Sequence, residues 1–300
     1  QLMIINGTEI EETFAEAFGM SATRIIITAI DAKWARIAGE TMTGFATSVI
    51  GCGVEAGIET ELSPEQTPDG RHGVSVLLFA MSGKALAKQL ETRVGQCVLT
   101  CPTTAVFSGM QGEKQMPLGK NLRFFGDGYQ ISKQIGANRY WRVPVMDGEF
   151  LCEERVARTS AVGGGNFLVL ANHQQQALTA CEKAIVEMRK LPNVIMPFPG
   201  GIVRSGSKVG SKYKALMAST NDAYCPTLRG LVNSNLDDDI GAVMEIVING
   251  LTDEDVRLAT RTGISAVCEL GAAGGIKRIS AGNYGGKLGQ FHFHLREVMA

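Results

Sequence analysis

Asn166-Phe-Leu-Val-Leu170 reads as a short buried strand, and the residues after it decide the fold. A helical stretch follows, with Leu178, Cys181, Ile185 and Met188 at three- and four-residue spacing on one face. Then come Asn193-Val-Ile-Met196, Pro199 and the pair Ser205-Gly206. The same order is met earlier in the chain. Val74-Ser-Val-Leu-Leu-Phe79 leads to a helix with Leu86, Leu90 and Val94 on one face, then to Gln96-Cys-Val-Leu-Thr100, Pro102 and Ser108-Gly109. Strand, helix, strand, proline and Ser-Gly thus occur twice.

A fainter echo links Val143-Pro-Val-Met-Asp-Gly148 with Glu245-Ile-Val-Ile-Asn-Gly250, each an apolar strand ending in a turn dipeptide. Beyond Gly250, Thr252 with Asp255 reads as a capping box, opening a helix whose Val256, Ala259, Gly263 and Val267 share a face. Ile5-Asn-Gly-Thr8 with Glu11 carries the same signal. This duplication predicts an α+β chain of two similar ferredoxin-like lobes, residues 1–150 and 151–300, each an antiparallel sheet covered by helices. No Pro- or Ser-rich linker separates them, so the lobes are expected to share an interface.

Composition narrows the function. In 300 residues, 45% are hydrophobic and 20% charged, with no apolar run of bilayer length, so a soluble protein off the membrane is expected. Basic and acidic residues nearly balance, 29 against 30, which supplies no field to attract nucleic acid. No secretory signal pattern is visible, and a cytoplasmic address is expected. Seven cysteines, an odd number among apolar neighbours, read as reduced, buried thiols.

The 36 glycines exceed the average of roughly 7% and gather in runs, which marks backbone-built sites or tight turns. The densest run is Phe198-Pro-Gly-Gly-Ile-Val-Arg-Ser-Gly-Ser-Lys-Val-Gly-Ser-Lys212. Its amides, with Ser205, Ser207, Ser211, Arg204, Lys208 and Lys212, suit a carboxylate or phosphate better than a plain solvated loop would require. Ala218-Ser-Thr-Asn-Asp-Ala-Tyr-Cys-Pro226 concentrates hydrogen-bonding groups, among them Ser219, Asn221 and Tyr224, either for a ligand or for its own backbone. Ser280-Ala-Gly-Asn-Tyr-Gly-Gly-Lys-Leu-Gly289 offers Asn283, Tyr284 and Lys287 as a site, or forms a wide hairpin.

Glu245 stands inside the apolar run Met244-Glu-Ile-Val-Ile248. Buried without a cation it would stay protonated and act as a general acid; by strand alternation alone it points to solvent. His292 and His294 could face one side of a strand, but no further ligands at metal-binding spacing accompany them, and no metal site is expected. No Gly-x-Ser-x-Gly elbow or Cys-His pair nominates a covalent nucleophile, so direct transfer is expected over an acyl-enzyme.

Several of these segments resemble one family. Asp127-Gly-Tyr129, Pro199-Gly-Gly-Ile-Val203, Ser207-Lys-Val-Gly-Ser-Lys212, Ser219-Thr-Asn-Asp-Ala-Tyr-Cys-Pro226, Glu245-Ile-Val-Ile-Asn-Gly-Leu251 and the 280–289 loop look like formylmethanofuran:tetrahydromethanopterin formyltransferase. In the first half Thr13-Phe-Ala-Glu-Ala-Phe18, Thr43-Gly-Phe-Ala-Thr-Ser48, Gln66-Thr-Pro-Asp-Gly-Arg71 and Gly95-Gln-Cys-Val-Leu-Thr100 agree.

The resemblance implies two ferredoxin-like lobes and a tetramer. It implies no prosthetic group, with methanofuran and tetrahydromethanopterin as co-substrates of formyl transfer in a ternary complex. It associates Glu245 with the chemistry. Arg204 stands where the methanogen enzymes tend to carry a small residue, and their acidic excess is absent. Both departures resemble the bacterial branch, in which the transferase works with formyl-hydrolase subunits. The competing expectations are a non-catalytic pterin-binding or scaffolding subunit, and an unrelated anion-binding module.

Overall fold

The structure is a computed structural model and describes residues 2–300. Two unusually long strands, Phe14–Thr28 and Arg155–Ala171, organise it. They cross as an antiparallel pair only at their middles, from Thr159 opposite Ala22 to Gly163 opposite Phe18. Beyond the crossing each strand serves both halves. Phe14–Thr28 pairs with Phe291–His294 at its start and with Gly73–Ala80 and Ala105–Ser108 at its end. Arg155–Ala171 pairs first with Lys114–Pro117, then with Ala242–Gly250 and Ile276–Ser280.

The result is a mixed arrangement of helices on one shared sheet, 15-stranded among the described residues. It is not wholly antiparallel: Leu151 lies parallel to Ala105, and Arg278 parallel to Glu9. Helices Ala32–Thr43 and Gly83–Arg93 cover a first core with Val74, Val76 and Leu78. Helices Gln174–Met188 and Asp253–Leu270 cover a second with Phe167, Val169 and Ile246. All eight residues of Gly73–Ala80 are buried, because its other face, Leu77 and Phe79, packs with Ile195 and Met20 from across the crossing. The expected shared interface is therefore present, apolar, and continuous with the sheet.

As expected, no linker marks the boundary proposed at residue 150. Gly148–Glu153 is a strand that turns back on Asn138–Val145, forming the expected hairpin at Met146-Asp147. Strand Arg155–Ala171 pairs with strands of both halves, and Ile10, Ala15 and Ala17 near the start of the chain pack into the second core. No helix among the described residues is long and apolar enough to cross a membrane.

Three local expectations are corrected. Val94–Val98 is a π-turn rather than a strand, closed by Leu99 N–H donating to Val94 O at 2.9 Å, with Val94 and Val98 buried like the helix face they extend. Thr8 caps no helix. Asn6 and Gly7, both at positive φ, make a two-residue hairpin turn between Met3–Ile5 and Thr8–Ile10. Ile276–Ser280 and Phe291–His294 do not pair, so the loop between them is not a wide hairpin. The capping box at Thr252 and Asp255 is formed, and Val256, Ala259, Gly263 and Val267 are buried. All seven cysteines are free, but only Cys152, Cys181 and Cys268 are fully buried.

Candidate active site

Strand Ala242–Gly250 alternates. Ala242, Met244, Ile246 and Ile248 enter the second core, so Val243, Glu245 and Val247 point the other way. That face does not meet open water. It floors a cleft of about 750 Å³ between the halves, with Thr47–Gly51 and Met81 on one side and the 198–224 segment and the 281–284 loop on the other. The Glu245 backbone is fixed from both flanks, opposite Leu168 in the ladder and bridged to Val203 by N–H···O bonds of 2.9 and 2.8 Å. Among the described residues no hydrogen bond or ion pair reaches its carboxyl. Burial without a partner pushes its pKa up to about 7.

The cleft gathers most of the residues expected from the sequence. Ser205, Ser207, Lys208, Asn221, Tyr224, Asn283 and Tyr284 line it with Glu245. Lys208 stands at the rim in an ion pair with Asp222 at 2.6 Å, which holds the Asp222 carboxyl low. Ser219 donates to Gly210 O at 2.8 Å, closing the small hairpin Lys208–Val209 with Ala218–Ser219. Lys212, Lys287 and Arg204 are exposed and outside the lining. The 218–226 loop does both things foreseen for it: Asp222 and Cys225 bond local backbone, while Asn221 and Tyr224 face the cleft and the Tyr224 hydroxyl meets Ser280 Oγ at 3.3 Å.

Three further carboxyls line the cleft: Glu11, which meets Arg278 Nε at 3.7 Å, and Glu16 and Glu55, neither of which was singled out from sequence. Glu16 is buried in the first long strand, and its oxygens accept from the backbone N–H groups of Tyr284, Gly286, Leu288 and Gly289. Burial raises its pKa, but the four donors outweigh that and hold it below the ordinary range. The donors of the 280–289 loop are thus spent on the protein's own carboxylate. Glu55 accepts from Val49 N–H and from Asn249 Nδ2, both at 2.9 Å, and burial still raises its pKa. Asn166 joins the glycine bulge to the same loop, donating to Gly164 O and Gly282 O while accepting from Gly282 N–H at 2.7 Å. The signal that marked Glu245 was present at Ala15-Glu16-Ala17 and Val54-Glu55-Ala56 too.

Among the described residues no three His, Cys, Asp or Glu side chains gather as a metal would require. His292 and His294 do share a face, both exposed and packed against the Phe14 ring at 5.0 and 5.1 Å. Of the four glutamates, Glu245 alone faces the cleft with neither a hydrogen bond nor an ion pair on its carboxyl. A cleft of about 750 Å³ armed with one such acid has the form of an enzyme site suited to group transfer.

Comparison with known proteins gives that class a particular form. The family model for formylmethanofuran-tetrahydromethanopterin formyltransferase matches residues 3–145, and the model described as FTR, proximal lobe, matches residues 148–298. The chain is 70% identical to formylmethanofuran–tetrahydromethanopterin formyltransferase of Methylococcus capsulatus, over 99% of this chain and 100% of that one. It superposes with a TM-score of 0.98, at 52% identity, on a chain of the formyltransferase/hydrolase complex of Methylorubrum extorquens, solved in complex with methylofuran, covering 100% and 99% of the two chains. The formyltransferase of Methanosarcina barkeri matches with a TM-score of 0.93 at 48% identity, covering 99% and 100%. The chain belongs to the formylmethanofuran–tetrahydromethanopterin formyltransferase family.

Proposed function

We propose that this chain moves a formyl group between the primary amine of methanofuran, or a close variant, and N5 of tetrahydromethanopterin, with both carriers bound at once and Glu245 as the acid. The reading rests on one observation above all: the carboxyl that the family resemblance associates with the chemistry is the one cleft acid without a hydrogen-bond or ion-pair partner, and burial pushes its pKa up to about 7. The incoming nitrogen attacks the formyl carbon, forming a C–N bond and leaving negative charge on the oxygen. Collapse breaks the bond to the departing nitrogen, which takes its proton from Glu245. The resulting carboxylate accepts the proton that the incoming nitrogen gives up. Donors aimed at the oxyanion contribute roughly 3 kcal/mol each, so a few amide, hydroxyl and phenol groups suffice without a covalent nucleophile.

In this reading Ser205, Ser207, Asn221, Tyr224, Asn283 and Tyr284 orient the two carriers inside the cleft. Lys208 at the rim, with Lys212, Ser219 and Lys287 beyond it, is left to the anionic tails of the long substrates. The lobes, 1–150 and 151–300, are proposed as ferredoxin-like, the first lending its opening strands to the second. A homotetramer, association with formyl-hydrolase subunits like those of the Methylorubrum complex, and a cytoplasmic site of action complete the proposal.

The test is a spectroscopic assay of formyl exchange with purified protein and both carriers. Wild type should transfer formyl, and Glu245→Gln should lower kcat by a factor of about 10² to 10⁴ while both KM values stay near wild type. A protein that binds tetrahydromethanopterin but transfers nothing would be the scaffolding subunit instead.

A further inference from the structure

We propose that Glu16 is a positioning residue for the transfer, moulding the 281–290 loop around its carboxylate so that the Tyr284 phenol is held beside Glu245. The inference rests on the transferase reading above. Glu16, Phe18 and Met20 follow one another at strand period on the face of the first long strand that lines the cleft. Each Glu16 oxygen takes two amide donors: Oε1 from Tyr284 at 3.2 Å and Gly286 at 2.5 Å, Oε2 from Leu288 at 3.0 Å and Gly289 at 2.8 Å. No regular turn makes four N–H groups converge in this way. Gly285 and Gly286 reach it at φ of +71° and +75°, and a Cβ on Gly289 would lie 2.5 Å from Ala17 O and 2.7 Å from Glu16 Cγ.

Tyr284 sits between two anchors. On one side Asn283 bonds Phe14 O at 3.1 Å and accepts from Gly285 N–H at 3.0 Å; on the other the Glu16 contacts begin at Tyr284's own amide. The Tyr284 ring then rests on Phe18, with centroids 5.9 Å apart. Burial and the nearby charges of Glu245 and Glu16 push the phenol's pKa up, so it stays a hydrogen-bond donor at neutral pH. The other titratable group against the loop is His292, whose exposed ring neighbours Gly286 and Gly289. A donor fixed beside the acid is placed to meet the oxyanion as it forms. Glu16 itself, saturated by amides, touches no substrate.

A double-mutant cycle on the full chain separates this role from mere stability. Glu16→Gln supplies one acceptor oxygen where two are needed, and its amide opposes the remaining N–H donors. We expect kcat at least tenfold lower, both KM values within about threefold of wild type, and faster hydrogen exchange at the amides of residues 284–289. Tyr284→Phe should cost a similar factor, and the double variant no more than the worse single one. Independent, multiplying effects would overturn the proposal, as would a Glu16→Gln enzyme of wild-type kcat. Should Glu16→Gln not fold, Glu16→Asp, which keeps the charge but withdraws it by one methylene, carries the same cycle with a smaller loss. A wild-type protein without formyl exchange would instead sink the transferase reading.

Discussion

Raising the pH through 7 takes a proton from Glu245 and leaves a buried charge with nothing to meet it. Two outcomes follow at that single residue. Its folded pKa, about 7, stands above the ordinary 4.5, so the associated stability is fully present below pH 4.5 and is lost as pH rises through 7. The shift corresponds to roughly 3 kcal/mol at most. Glu245→Gln should therefore be more stable than wild type at pH 8 by up to that amount and no more stable at pH 4, while losing activity at both; paired thermal melts measure the difference. Equal melting temperatures at pH 8 would mean the carboxyl is solvated. In the wild type, kcat in either direction should fall tenfold per pH unit above about 7. From sequence the apolar neighbours singled out Glu245, but alternation alone sends it outward, and the family resemblance tipped the reading towards the acid. The outward face proved to be roofed by the 198–224 segment, a tertiary fact that no periodicity carries. Glu16 was illegible for a different reason: its partners are backbone amides some 270 residues away, which have no side-chain signature.

Elements whose periodicity settles them were read correctly, and those that depend on one residue's backbone were not. The helices Gly83–Arg93, Gln174–Met188 and Asp253–Leu270 carry their buried faces at the predicted positions, except that Leu178 is only partly buried and Val94 falls in the π-turn that follows the first. The second long strand was seen only from Asn166 onward, because Gly163-Gly164-Gly165 reads as an interruption. In the structure the strand runs through it with a register shift between Val162 and Gly165. Gly164 holds φ at +88° there and donates its N–H to Asn249 Oδ1 at 3.0 Å, which keeps Asn249 aimed at Glu55. Alanine at this φ is strained by about 1–2 kcal/mol. Gly164→Ala should lower stability by that amount in a denaturant titration, with an unchanged slope. A neutral result would show that the bulge can be rebuilt without positive φ.

Across the whole molecule the two halves are joined by a polar clamp as well as by apolar packing. The Arg24 guanidinium reaches Glu59 through two bonds, 2.8 and 2.6 Å, and Asn193 Oδ1 at 2.6 Å. Glu59 also accepts from Ser75 Oγ and from Asn193 N–H, so one carboxylate ties strands of the first half to the turn before Val194–Ile195 in the second. With side chains 19% and 4% exposed, the pair is shielded from salt and water, which sets it apart from the surface ion pairs of this chain. Burial raises the Glu59 pKa, but Arg24 and the other donors outweigh it and hold the group low. Its stabilisation is therefore present above about pH 4.5 and fades as pH falls through the lower folded value. A buried pair is worth less than its distances suggest, because desolvation offsets most of the attraction, whereas one stranded partner costs about 3–5 kcal/mol. Arg24→Met should thus be severely destabilised at pH 7. The double variant Arg24→Met with Glu59→Met should recover most of that loss, since it strands no charge and extends the apolar contact of Leu77, Phe79 and Ile195. Melts of the three variants decide the matter: a double variant as unstable as Arg24→Met would mean that the halves are held in register by the polar clamp, and that the apolar seam alone cannot close the cleft that carries Glu245.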